Sequence, residues 1–369
     1  MMRRITDFIL QLYNYQPLKY KVLLVAMVFL FVVAIVLLLI VIRTRTHRDL
    51  TERRFKRIKS TLESIVLDIL FQTDWEKRSD QINGLKKLIE NPKNTSARDA
   101  VREMLNSMSL QLEGDSLSIL TQIYRETGLK DLLLHELQDK EWDVKAAVIE
   151  EIGNVQLKEL LFEVLKYTDH ENELVRNKAQ VVVVKLGGLR GLQFLDTLKS
   201  QLSEWQQIQL LNQLLKMQYN NFPQTEKWLN SPNDSVVMFG LKVTQNFMQF
   251  QYKDQLVRLL DHSNPEIIRK SLKAIAHLGL KSELESIKMH YPNYSKDLKV
   301  DVLRTIGELG DESDQLFLID CLMSDDYFIV KESSNALIKI GQKNLLYQIK
   351  DSFPDYQREI IEHSLDERI

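Results

Sequence analysis

The chain has 369 residues, 49 Lys+Arg against 51 Asp+Glu, and a formal net charge of −2. Only twelve Gly, seven Pro and one Cys argue against sheet-rich, collagen-like or disulfide-framed architectures, and a lone cysteine excludes any multi-cysteine metal site. Residues 1–60 carry 12 Lys+Arg against 3 Asp+Glu and the rest 37 against 48, so the amino end is basic and the body, at −11, is ill suited to wrapping nucleic acid.

Residues 1–21 are short and mixed; Ile5, Phe8, Ile9 and Leu12 suit a helical turn or two before Pro17. From Val22 to Ile42 run 21 residues with no charged or polar side chain. As a helix they span ~32 Å, about one bilayer core, which predicts a single transmembrane helix over 22–42. A cleaved signal peptide would have a shorter apolar run followed by a small-x-small site. Arg3, Arg4, Lys19 and Lys21 precede the span, and Arg43, Arg45, Arg48, Arg53, Arg54, Lys56, Arg57 and Lys59 follow it. That bias places the following body in the cytoplasm. The basic stretch 43–60 reads as a juxtamembrane helix, either a stop-transfer anchor with a solvated face or a grip on anionic lipid headgroups.

Residues 61–115 hold further helices outside any repeat register. Ile82, Leu85, Leu88 and Ile89 make one face, ended by Asn91-Pro92; Thr95 or Ser96 caps the next, with Val101, Met104, Leu105 and Met108. They read as an amino-terminal cap or degenerate repeats.

Residues 116–369 are periodic. The apolar residues Val155, Leu186, Met217, Met248, Leu278, Leu309 and Ile340 recur at steps of 31, 31, 31, 30, 31 and 31, with Tyr124 one period earlier. In one unit, Leu298, Val302, Thr305, Ile306 and Leu309 make an apolar helical stripe. Gly310 follows as a left-handed stop, and Asp311 opens a second helix with Leu316, Phe317, Ile319 and Leu322. Neither short helix buries its face alone, so the units must stack. Tyr356 to Leu365 reads as a closing helix. Val181 to Val184, although β-branched, keeps helical register.

These residues resemble short HEAT repeats of about 31 residues, of the phycobilisome-lyase type. The pattern appears as Asp169, Val175-Arg176, Ala179 and Leu186-Gly187, again as Asp261, Ile268-Arg269, Leu272 and Leu278-Gly279, and as Asp325, Val330-Lys331, Ser334 and Ile340-Gly341. It covers roughly 124–341 and lapses between Trp205 and Tyr252, where Gln218 and Gln249 replace the closing glycine. The resemblance implies an all-α fold: a HEAT/armadillo-like α-solenoid, a superhelix of stacked antiparallel helix pairs, here preceded by one transmembrane helix. It also implies that the repeat cations Lys145, Arg176, Arg269, Lys299 and Lys331 pair with turn aspartates of adjacent units; a basic stripe for an acidic partner is the alternative. Gly187, Gly279, Gly310, Gly341, Arg176 and Arg269 are thus expected to be structural. Such repeats also occur in bilin lyases and in a class of DNA glycosylases, but no tetrapyrrole-handling constellation is visible, and the acidic body and apolar span oppose the glycosylase reading.

Chemistry is sparse. There is no phosphate loop, no His-Glu-x-x-His, no Gly-x-Ser-x-Gly, and the histidines lack ligand spacing. Cys321 reads as a buried small hydrophobe. No catalytic residue, cofactor, metal, small-molecule substrate or nucleic acid is expected. Eight of the 30 aromatics fall between Trp205 and Tyr252. They either replace missing aliphatic core or, through Trp228, Phe239, Phe247, Phe250 and Tyr252, make a partner-binding patch on the concave face. The expectation is a non-enzymatic membrane scaffold or adaptor for another, membrane-associated protein. An accessory subunit of an envelope-building enzyme such as a glycosyltransferase is the alternative, from location alone.

Overall fold

The computed structural model describes residues 27, 29–40, 42–43, 61–91, 95–138, 141–217, 222 and 224–366. Residues 29–40 form helix α1, whose apolar side chains (Leu30, Phe31, Leu37 and Leu38 among them) are all exposed. Among the described residues no helix is long and apolar enough to cross a membrane. The expected span 22–42 lies in part, and Arg45, Arg48, Arg53 and Arg54 lie wholly, outside them; Arg43 is helical. The chain divides into two compact units, Met1–Leu132 and Leu133–Ile369.

The first unit contains α2 (61–71), α3 (Trp75–Glu90), α4 (Thr95–Ser109), α5 (Gly114–Glu126) and the start of α6 (Leu129–Leu137). Asp74 caps α3, its carboxylate accepting from the Glu76 N–H at 3.0 Å, and α3 stops at Glu90, with Asn91 already extended as a residue before proline prefers. The faces meeting inside are those the periodicity marks: Ile82, Leu85 and Ile89, then Val101, Met104 and Leu105. The 115/116 boundary read from the sequence falls inside this unit.

In the second unit each period is a short first helix and a longer second one. The second helices are α7 (Trp142–Asn154), α9 (Glu173–Gly187), α10 (Glu204–Lys216), α12 (Asp234–Asn246), α14 (Pro265–His277), α16 (Lys296–Leu309), α18 (Tyr327–Lys339) and α20 (Asp355–Leu365). Their first residues step by 31, 31, 30, 31, 31, 31 and 28. Each packs on the next, which is the geometry of a stacked array. Between them run α8 (Leu161–Leu165), α11 (Thr225–Leu229), α13 (Lys253–Arg258), α15 (Leu284–His290), α17 (Gln315–Leu322) and α19 (Lys343–Ile349). Most are led in by a 3-10 turn, and Gly188–Asp196 is 3-10 throughout. So α19 and α20 complete a further pair where the sequence marked only a closing helix. No strand occurs among the described residues.

A side-chain cap precedes five of these eight second helices. Asn172, Ser203, Asn233, Asn264 and Asp326 each accept a backbone N–H of the following turn. Tyrosines tie a period to the previous one: the hydroxyls of Tyr167, Tyr252 and Tyr294 donate to the carbonyls of Leu137 (2.8 Å), Phe222 (3.1 Å) and Leu260 (2.8 Å).

The closing residues behave in three ways. Gly279 (φ 66°) and Gly341 (φ 85°) are left-handed, as expected. Gly310 is not: its φ is −71°, and it is glycine because a Cβ would stand 2.5 Å from the Ile306 carbonyl and 2.7 Å from Asp314 Oδ2. In α9 the left-handed residue is Gly188 (φ 57°) rather than Gly187. The degenerate unit keeps the stop without glycine: Met248 itself is left-handed (φ 48°), 31 residues before Gly279, so the short step falls one period earlier, between the starts of α10 and α12.

The expected cation ladder is also corrected. Arg176 donates to the carbonyls of His170 (2.6 Å) and Glu171 (3.2 Å) in its own turn. Lys299 and Lys331 lie over the rings of Tyr291 and Tyr327. Of the five expected cations, only Arg269 reaches an acid of an adjacent unit among the described residues, and that acid is on a helix: Nε donates to Asp301 Oδ2 at 2.7 Å, while Nη1 donates to Glu266 Oε2 at 2.6 Å. Arg304 extends the row, donating to Asp301 Oδ1 at 3.0 Å and standing 3.6 Å from Glu332. The acids and bases of α14, α16 and α18 thus alternate across three helices.

Candidate functional site

Equivalent positions on stacked second helices face the same way, so a 31-residue spacing in sequence becomes a pair of neighbours on the surface. On α9 and α10 these pairs are Leu174 with Trp205, Lys178 with Gln209, Val182 with Gln213, and Lys185 with Lys216. Together with Glu150 and Gly153 of α7 they line a groove of ≈ 400 Å³. Gly153 sets its inner wall: a Cβ there would meet Val182 Cγ2 at 2.6 Å, so α7 and α9 approach closely where the side chain is missing.

The floor is a fixed row of amides. Gln180, 1% exposed, donates from Nε2 to the Thr168 carbonyl at 2.8 Å. Gln206 donates from Nε2 to Gln180 Oε1 at 3.0 Å and also to Asn177 Oδ1, while its Oε1 accepts from the Ser203 N–H at 2.6 Å. The capping box that starts α10 therefore also locks the floor.

The walls carry charge. Among the described residues Glu150 is the one acid lining the groove, and Lys178 pairs with it at 2.5 Å. Among the described residues Lys185 and Lys216 have no carboxylate within ion-pair distance, and both are exposed. Partial desolvation pushes the Lys185 ammonium below its ordinary pKa, and repulsion from Lys216 adds to this against the pull of Glu150. Trp205 is 65% exposed at the rim. Chemically the groove offers two unneutralised cations, an aromatic face and fixed amides, with no nucleophile–base pair. No group that could hold a metal ion occurs among the described residues.

The aromatic residues singled out by sequence are elsewhere and mostly inside. Trp228, Phe239 and Tyr252 are buried, with the Trp228 and Phe239 rings 5.5 Å apart; Phe247 packs on Phe222 at 4.4 Å, and only Phe250 is exposed. A patch needs accessible side chains, so this cluster corresponds to aromatics filling core. Sequence reading passed over Lys185, Lys216, Gln209 and Gln213. The signal was present, because each lies 31 residues from its groove neighbour.

No family model matches the chain, and no curated protein does. Among solved structures it is similar to the complex of CpcE and CpcF of phycocyanin lyase from Nostoc sp. PCC7120, at 13% identity over 65% of this chain and 94% of that one, with a TM-score of 0.25. It is also similar to an engineered protein, at 14% identity over 70% and 96% with a TM-score of 0.23. A third likeness is to tubulin-recruiting microtubule polymerases with TOG domain arrays, at 12% identity over 82% and 91% with a TM-score of 0.24. The architecture is read from the chain's own periodicity and packing.

Proposed function

We propose that this chain is a non-catalytic scaffold, anchored to a membrane through residues 22–42, whose stacked helices hold a partner protein beside that membrane. The observation that carries the reading is the groove over α7, α9 and α10: it has binding chemistry, namely exposed Trp205 and the cations Lys185 and Lys216, and no catalytic constellation. The uncharged run from Val22 to Ile42 and the basic residues after it support the anchor and a cytoplasmic body. Tethering raises the effective concentration of two proteins that share a membrane, so modest contacts suffice.

Membrane fractionation of the full chain tests the anchor. It is expected in the carbonate-resistant pellet, and replacing Val33 and Leu37 by Arg should release it. A reporter fused after Ile369 should work only in cytoplasmic form; an active alkaline phosphatase fusion would reverse the orientation. Site-specific photo-cross-linking in membranes tests the scaffold. A cross-linker at Gln209 should trap a protein that one at Phe162, an exposed residue on a first helix, does not; no adduct from either position would sink the reading.

A further inference from the structure

The body is acidic, yet one stretch of its surface departs from that: the second-helix groove is lined by Lys178, Lys185 and Lys216 against the single acid Glu150. Elsewhere in the second unit many exposed lysines are paired with the adjacent period, as Lys227 with Asp196, Lys253 with Glu283 and Lys296 with Asp326. Keeping two ammoniums in one groove without a pairing acid, the Lys185 one partly desolvated, costs free energy that a pairing acid would remove. The arrangement is therefore complementary to an anion from outside.

We infer that this groove receives an acidic segment of the partner protein, its carboxylates on Lys185 and Lys216 and a neighbouring apolar side chain against Trp205. The inference rests on the scaffold reading and adds the chemistry of the partner. A peptide fits better than a bare polyanion. The apolar rim of Leu174 and Trp205 would be idle against phosphates or sulfates, whereas Gln209 and Gln213 offer both donor and acceptor, as a peptide backbone does. Dimensions agree as well. Stacked helices stand ~8–10 Å apart, and an extended chain advances ~3.3 Å per residue, so two lysines on adjacent helices match acids about three residues apart.

The test uses the full chain in lipid nanodiscs and a fluorescein-labelled ten-residue peptide with two Glu three positions apart flanking a Phe. Its Gln isostere and inorganic polyphosphate serve as comparisons. The Glu peptide should bind saturably, the isostere at least tenfold more weakly, and added salt should weaken binding. The double variant Lys185→Gln/Lys216→Gln should lose at least tenfold, Lys185→Arg/Lys216→Arg should retain binding, and Trp205→Ala should lose severalfold, each with an unchanged melting temperature because these side chains are exposed. Equal binding of Glu and Gln peptides, indifference to the lysine substitutions, or polyphosphate displacing the peptide while ignoring Trp205→Ala would overturn the inference. Cross-linking from Gln209 keeps the two failures apart: a trapped partner whose contact segment is neutral refutes the acidic ligand and leaves the scaffold standing.

Discussion

Arg269 of α14 and Asp301 of α16 face each other between adjacent periods of the stack, Nε to Oδ2 at 2.7 Å, and Asp301 spends its other oxygen on Arg304. The Asp301 side chain is only 12% exposed. Hydrogen bonds to a charged, partly buried acceptor outweigh surface ion pairs. Asp301→Ala should therefore lower stability by about 1–3 kcal/mol, the range for stranding such partners. A urea series reads it, and pairing with Arg269→Met should give a clearly non-additive cycle. Additive losses would mean the row contributes nothing as a row.

Two glycines separate close approach from backbone conformation. A Cβ on Gly307 would lie 2.9 Å from the Ala336 Cα, backbone that cannot swing aside, so Gly307→Ala should cost about 1–3 kcal/mol by forcing α16 from α18. Among the described residues a Cβ on Gly279 would meet nothing within 4 Å and suffer only the left-handed φ, so Gly279→Ala should cost about 1 kcal/mol. Melting temperatures of the two variants should fall in that order.

Gln249 is 1% exposed, and among the described residues neither its amide nitrogen nor its amide oxygen has a hydrogen-bond partner. An unsatisfied buried amide costs about 1–3 kcal/mol, so Gln249→Leu should raise the melting temperature. A fall would show that the amide is satisfied in solution, for instance by a buried water.

Next to it, Met248 holds a left-handed φ of 48°. Met248→Gly removes that strain, worth about 1 kcal/mol, but adds chain entropy to the unfolded state. The expected result is no loss of stability, against the usual penalty for an inserted glycine; a clear loss would place Met248 among the packing residues despite its exposure.

Asp169 joins one period to the next by accepting the backbone N–H groups of Ser200 (3.0 Å) and Lys199 (3.3 Å). Desolvation alone would raise its pKa, but hydrogen bonding to Ser200 and Lys199 prevails and holds it below the ordinary value. A carboxyl depressed on folding adds stability that is complete above its unfolded pKa, roughly 4, and disappears as pH falls through the folded one. The melting temperature should be insensitive to Asp169 titration at neutral pH and drop below about pH 4. Asp169→Asn should shrink that acid-side drop; an identical acid limb would refute the assignment.

How much of this was written in the residues follows from what each feature depends on. The pairing of helices came through because a 31-residue period repeats its apolar faces and its caps, from Asn172 to Asp326. The groove did not, because Lys185 and Lys216 are ordinary exposed lysines until stacking makes them neighbours. The aromatic cluster stayed open between core and patch for a related reason: Trp228 and Phe239 carry no mark saying which side of a short helix they occupy. Gly310 looked like every other closing glycine, since the crowding of its missing Cβ by the Ile306 carbonyl and the Asp314 carboxylate depends on the local backbone path and leaves no mark in residue type.

Gly279 and Gly341 are separated by two whole periods and adopt the same turn. Excising residues 280–341 would therefore join like to like and hand α14 a successor already shaped for it. The molecule should shorten by modules and still fold, in the way a column loses courses of brick without losing its line.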